Sequence, residues 1–169
     1  MRTVHLSRSR LVELLCYVPE TGKFIWRDKR NAGHVLRGRA GAFTDRYVKI
    51  RIDHVLYSAH RLAWLYVYGE WPLDQIDHIN NDKTDNRICN LRLATQSENI
   101  VNRRAQSNNS SGRKGVTRSG KRWSASIRSN GHRYHLGTFD TVDDAHAAYS
   151  EAACRLHGEF ANVGSKCQP

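Results

Sequence analysis

The sequence has no apolar run long enough to span a bilayer, and no apolar stretch follows its N-terminal arginines as a secretory signal requires. Membrane insertion and export are therefore not expected, and the chain reads as cytoplasmic or nucleoid-associated. Its four cysteines, Cys16, Cys89, Cys154 and Cys167, form no Cys-x-x-Cys pair. That spacing removes a cysteine zinc knuckle and a disulfide framework, leaving reduced thiols and no disulfide-linked partner. Acids are missing between Arg103 and Arg133, where nine basic side chains occur. Over all 169 residues the formal net charge is +11. A polyanion should bind such a chain, and with no membrane segment the polyanion expected is nucleic acid. A hydrophobic content of 39% allows cores to form and argues against disorder throughout.

The acid-free window also marks a boundary. Ala105 to Gly112 is small, polar and without apolar periodicity, as a linker is. The expected organisation is a domain at 1–102, a linker at 103–112, a second domain at 113–164 and a tail at 165–169. In the first domain, Leu6, Leu11, Leu14 and Leu15 suggest a short amphipathic helix that stops before Pro19. Period-two strands are expected at Phe24–Trp26 and Tyr47–Ile52, with a glycine-rich basic loop from Asn31 to Gly41 between them. Ala59 to Tyr68 follows as a helix that ends at Gly69.

Next comes the segment from Gln75 to Asn99, which has short apolar strands at Ile76–Ile79 and Leu91–Leu93 around a loop dense in Asn and Asp. Thr95-Gln-Ser-Glu98 is a capping-box pattern, so a helix should open there and carry Asn99. In a strand, loop, strand and helix unit, Asp77 and Asn99 can offer two oxygen ligands to one divalent ion. His78 then points to the other face of its strand, beside a scissile phosphate. Oxygen ligation with water completing the shell suits Mg²⁺ or Mn²⁺ better than Zn²⁺. Phosphodiester hydrolysis needs a base near neutral pH and a cation at the departing 3′ oxygen, which are the chemistries of a histidine and of such an ion. Asn90 could bridge backbone groups across the loop and hold His78 in place. Asn86 is the alternative for that task.

His78, Asn90 and Asn99, with Asp77 before the histidine and His60-Arg-Leu-Ala upstream, resemble the HNH endonucleases, especially the phage homing type with a ββα-metal site. The resemblance covers roughly residues 10 to 104. It implies that Asp77 and Asn99 bind the metal, that His78 is the general base and that Asn90 is the structural asparagine. The family's last position is often histidine and is asparagine here. His60 reads as a helix-start or core-packing residue in preference to a catalytic one, and Arg61 and Arg92 as solvated arginines that could contact phosphate.

Beyond the linker, Asn130-Gly131 sits between alternating runs, a hairpin signal that pairs Arg128 with Arg133, Ile127 with Tyr134 and Ala125 with Leu136. Trp123, Ala125, Ile127, Tyr134 and Leu136 should form the core face. The opposite face should carry Arg122, Arg128, Arg133 and His135 with Ser124 and Ser126. Two arginines directly opposed repel, unless an anion or a guanine edge lies between them. A strand from Gly115 to Arg118 should complete the sheet. Thr141-Val-Asp-Asp144 should then cap a helix whose stripe Val142, Ala145, Tyr149, Ala152, Ala153 and Leu156 covers the core face.

Lys114-Gly-Val116, Trp123, Ile127-Arg128, Leu136-Gly-Thr-Phe139, Ala145 to Tyr149 and Ala152-Ala153 are similar to the plant APETALA2/ethylene-response-factor DNA-binding domain, over residues 113 to 162. That resemblance implies a DNA-facing sheet with Lys114, Arg118, Arg122, Arg128, Arg133 and His135. His135 replaces a usual tryptophan and Thr117 a usual arginine, so the family's base preference does not carry over.

The fold class expected is α+β, a ββα-metal nuclease module with extra strands and helices plus a three-stranded antiparallel sheet on one helix. The function expected is a metal-dependent endonuclease that nicks or cleaves double-stranded DNA. The alternative is a non-catalytic, sequence-specific DNA-binding protein or regulator. An RNA-binding role is disfavoured, because the sheet lacks an exposed aromatic pair for base stacking.

Overall fold

The computed structural model describes residues 6–27, 36–44, 46–106 and 108–163. Two compact units are present, Met1–Thr95 and Gln96–Pro169. The fold is mixed α/β, with small antiparallel sheets and four α-helices among the described residues.

The first unit opens with α1 (Arg8–Leu14), where the Ser7 hydroxyl accepts from Arg10 N at 3.2 Å. Leu15 begins β1 (Leu15–Val18) and does not extend the helix as its spacing suggested. β2 (Lys23–Arg27) and β3 (Leu36–Ala40) complete an antiparallel sheet in the order β1-β2-β3. β3 corrects the expected loop over Asn31–Gly41, of which 31–35 lie outside the described residues. Its glycine and arginines suggest a loop, but pairing with β2 gives its backbone ladder partners that composition does not reveal. A second sheet holds β4 (Ala42–Thr44), β5 (Tyr47–Ile52) and β6 (Val55–Ser58). Next, α2 (Ala59–Tyr68) ends at Gly69, whose N–H returns to Leu65 O at 3.0 Å. β7 (Gln75–His78) and β8 (Leu91–Ala94) form a two-stranded ribbon.

Leu11, Leu15, Phe24, Ile50, Ile52 and Leu62 are all at most 2% exposed and form the centre of this unit's core. Burying each such side chain contributes roughly 1.5–3 kcal/mol. Tyr17 packs between Phe24 and Tyr66, with ring centroids 5.0 and 5.7 Å away.

In the second unit, α3 (Gln96–Val101) precedes the glycine-rich stretch. The expected domain boundary placed α3 with the first domain. It belongs to the second compact unit, where carbonyls at its C-terminal end find donors. Lys114 Nζ donates to Val101 O and Arg103 O, and Asn162 Nδ2 donates to Asn102 O at 2.6 Å. β9 (Val116–Ser119), β10 (Arg122–Ser129) and β11 (His132–Phe139) form a sheet in the order β11-β10-β9. Asn130 and Gly131, at φ 50° and 80°, make the expected primed turn. Arg128 faces Arg133, and Ile127 faces Tyr134.

The register then shifts: Ala125 pairs with Gly137, not Leu136, because a bulge follows Ser126↔His135. Tyr134 corrects the expected core face, being 47% exposed. It sits on the edge strand, while central β10 buries Ala125 and Ile127. Thr141 Oγ1 caps α4 (Val142–His157), accepting from Asp144 N at 3.1 Å. Ala145, Tyr149, Ala152 and Ala153 are the buried residues of α4, whereas Leu156 is exposed in its last turn. Gly115 has φ +75°, and any β-carbon there would enter the Tyr149 ring. Cys154 is disulfide-bonded, correcting the expectation of reduced thiols throughout. The expected tail lies outside the described residues.

Candidate active site

The ribbon register is Gln75↔Ala94, Ile76↔Leu93, Asp77↔Arg92 and His78↔Leu91. Successive side chains on β7 alternate in direction, so Asp77 and His78 diverge from one short strand. Both are buried, each 5% exposed. Arg92 meets Asp77 directly across the ribbon, with Nε and Nη2 donating to Oδ2 at 3.0 and 2.8 Å.

The loop between the strands is folded by its own short polar side chains. Asp82 N binds Asn80 Oδ1 at 2.8 Å, Thr84 N binds Asp82 Oδ1 at 2.9 Å, and Arg87 N binds Asp85 Oδ1 at 3.3 Å. Asn90 spans the loop: its Oδ1 accepts from Asn80 N at 3.0 Å, and its Nδ2 donates to Asn80 Oδ1 and Asp85 O at 3.0 and 2.9 Å. Asn86, not Asn90, touches the histidine. His78 Nε2 lies 3.1 Å from Asn86 Oδ1, and Asn86 Nδ2 donates to Thr84 O at 3.4 Å, which turns the amide oxygen toward the ring. With Nε2–H donating, neutral His78 carries its lone pair on Nδ1. Burial pushes the His78 pKa down, opposed by the Asn86 bond and by Asp77, Asp85 and Asp82. The ring therefore stays neutral, the form in which a base works.

Asn86 is itself held from behind. Tyr17 Oη donates to its carbonyl at 2.8 Å, and Gly22 comes so close that a β-carbon would collide with Asn86 C and Arg87 N. Gly22 also has φ +67°. Gly22→Ala should cost about 1–3 kcal/mol in urea unfolding and reduce activity by displacing Asn86. A loss under about 0.5 kcal/mol, the usual size of a surface substitution, would show that the seat is soft.

Two rings meet around the histidine. His60, in the first turn of α2, lies edge-on to His78 at 5.2 Å, and Tyr47 is 5.1 Å from His60 and 6.2 Å from His78. Lys83 Nζ stands 4.8 Å over the Tyr47 ring. His60 is 8% exposed, and its Nδ1 is buried without a hydrogen-bond partner. Its pKa is pushed down to about 3, first by burial and then by His78 and Arg61.

Residues 57–101 match the family model described as an HNH endonuclease. An uncharacterized HNH endonuclease of Acanthamoeba polyphaga mimivirus is 36% identical over 105 residues, 60% of this chain and 54% of that protein. Protein 3.8 of Escherichia phage T7 is 32% identical over 105 residues, 60% of this chain and 86% of that protein. The chain belongs to the HNH endonuclease family. It spans about half the length of the mimivirus relative and most of the phage protein.

The matched HNH segment runs from Tyr57 to Val101 and contains His60, Asp77, His78, Asn86, Asn90, Arg92 and Asn99. Asp77 and His78 lie in the first unit, and Asn99 is half-buried on α3 of the second. No cluster of three or more His, Cys, Asp or Glu able to hold a metal occurs among the described residues. HNH nucleases as a family use a divalent metal, and the donors that fit one here are carboxylate and amide oxygens. That set suits a hard ion that keeps much of its water. Arg61 is anchored, its guanidinium donating to Pro72 O and Asp74 O at 3.2 and 3.5 Å.

The six basic residues expected on the C-terminal sheet divide. Arg128, Arg133 and His135 are exposed on one face; Arg133 Nη2 donates to Ser126 Oγ at 2.9 Å, and His135 Nδ1 lies 3.4 Å from Ser124 Oγ. Arg122 begins that face and is paired with Asp140 at 2.7 Å. Arg118 stands opposite Trp123, on the other face from Ser124, with its guanidinium 5.7 Å from the ring. Lys114 is half-buried with its ammonium on the α3 carbonyls, and burial lowers its pKa to about 8.

Sequence reasoning left Asn86 as the alternative to Asn90 at His78, and it missed Tyr47 as the aromatic neighbour of His78 and Arg92 as the partner of Asp77. The last was accessible: strands at Ile76–Ile79 and Leu91–Leu93 already suggest an antiparallel ribbon. The His60 contact with His78 depends on how α2 packs against β7, which no spacing shows.

Proposed function

We propose that this protein is a metal-dependent endonuclease that hydrolyses phosphodiester bonds in double-stranded DNA. What carries the reading is His78 within the HNH-matched segment, buried, neutral and fixed through Nε2 by Asn86. His78 Nδ1 takes a proton from water, whose oxygen attacks phosphorus as the bond to the 3′ oxygen breaks. Asp77 would hold the divalent ion, with Mg²⁺ or Mn²⁺ suited to its oxygens, and Asn99 is the second ligand that the sequence resemblance implies. When bound, that ion supplies charge neutralisation at the phosphate and the departing oxygen. Asn90 ties together the loop between the two ribbon strands through Asn80 and Asp85. The homing type is part of this proposal, supported by the sequence resemblance and by viral relatives.

The C-terminal unit serves as an APETALA2-like reading head. A three-stranded sheet backed by one helix, with Arg128, Arg133 and His135 exposed together, supports that role. Supercoiled plasmid with Mg²⁺ or Mn²⁺, against an EDTA control, tests the activity. Metal-independent or absent nicking overturns it, and DNA binding without nicking would favour the regulator. Replacing Arg128 and Arg133 together by Ala should weaken DNA binding and reduce its salt slope by about 2. An unchanged slope would move the contact off this face.

A further inference from the structure

The Asp77–Arg92 contact is set by strand register, since the two residues are direct cross-strand partners. Two guanidinium N–H groups converge on Asp77 Oδ2, with the side chains 6% and 12% exposed. The pair is nearly removed from solvent, where charge imbalance is costly. A divalent ion arriving at Asp77 must share one carboxylate with a guanidinium and adds two positive charges to a pair whose own charges cancel. A phosphodiester arriving with it offsets one of those two charges and offers the guanidinium paired acceptor oxygens.

We propose that Arg92 is the counter-ion of Asp77 in the free protein and transfers to a DNA phosphate when metal enters, so that metal and phosphate bind cooperatively. This rests on the nuclease reading above. Asp77 in the free protein is then a poor metal ligand, and DNA converts it into a good one. By linkage the factor is the same in both directions: metal raises phosphate affinity as much as phosphate raises metal affinity.

The test is ion binding without DNA. Free Mn²⁺ is followed by electron paramagnetic resonance for wild type, Arg92→Gln and the double variant Asp77→Asn with Arg92→Gln. Arg92→Gln should bind Mn²⁺ at least about ten-fold tighter than wild type, a coupling of ordinary allosteric size, and the double variant should lose that gain. Equal or weaker binding by folded Arg92→Gln overturns the proposal. A measurement on the unaltered chain covers a variant that fails to fold. In ¹⁵N-labelled wild type, the Arg92 Nε–H resonance should stay protected from solvent exchange with millimolar Mg²⁺ alone and shift when an uncleavable phosphorothioate duplex joins the Mg²⁺. Release by Mg²⁺ alone, or no shift with both, overturns it. Failure of the nuclease reading shows separately, as wild-type protein that does not nick plasmid.

Discussion

His78→Ala should lower metal-dependent plasmid nicking by about 10²–10⁴-fold, the contribution of a positioned general base. The size follows from how completely the ring is prepared. Its orientation is fixed by Asn86 Oδ1 at 3.1 Å, its charge state is held neutral by burial, and His60 and Tyr47 pack against it. Nothing in the remaining site repeats these properties: His60 is buried, with its pKa pushed down to about 3. Removing His78 also strips Asn86 of a buried donor, so a stability loss of about 1–3 kcal/mol should accompany the loss of rate. Thermal unfolding separates the two effects, and nicking is compared well below both midpoints. A variant that is folded and nicks within about three-fold of wild type would place the base elsewhere, since three-fold in rate is only about 0.7 kcal/mol of barrier.

The parts of this site legible in the sequence are those encoded locally. β5 and α2 have the predicted bounds, Tyr47–Ile52 and Ala59–Tyr68, because alternation and a terminal glycine are local signals. The ribbon was legible to within a residue at each end, and with it the divergence of Asp77 from His78. The Asn130-Gly131 turn fixed the first pairs of its hairpin, but the bulge at Leu136 carries no signal in the alternation and escaped. β3 escaped for the same reason: strand pairing is satisfied by backbone groups, and Leu36-Arg-Gly-Arg-Ala carries no side-chain pattern that announces it.

Long-range contacts decide the functional detail. Asn86 was one of two candidate asparagines, and its contact with His78 depends on the carbonyl anchor from Tyr17, sixty-nine residues earlier in the chain. Basic residues were legible as a cluster but not by face, since one position of register separates Arg118 on the Trp123 side from Thr117 on the Ser124 side. Lys114 shows the same limit, being a lysine in a basic run whose ammonium closes the end of a helix.

Lowering the pH from 7.5 to 5.0 should destabilise the first unit by about 2 kcal/mol through His60 alone, at roughly 1.4 kcal/mol per pH unit below the ordinary histidine value. His60 titrates at about 3 in the folded chain and near 6.5 when unfolded. Between these values the unfolded state binds the extra proton, so stability is fully present above pH 6.5 and falls as the pH drops through the window toward 3. The cause is geometric: an imidazole 8% exposed, facing the His78 ring and near Arg61, has no carboxylate partner among the described residues to accept a charge. His78 is pushed the same way and adds to the slope. Asp82 and Asp85 are held below the usual carboxylate range and act only at lower pH, outside this interval. Urea unfolding followed by tryptophan fluorescence reports mainly this unit, which holds Trp26, Trp64 and Trp71 against Trp123 in the other. His60→Phe keeps an aromatic ring against Tyr47 and His78 but removes the titrating group and the unpartnered Nδ1. It should therefore match wild type closely at pH 7.5 and exceed it at pH 5.0. Equal pH slopes for the two proteins would mean that His60 gains its proton without cost, and the tightly packed three-ring cluster would have to open to allow it.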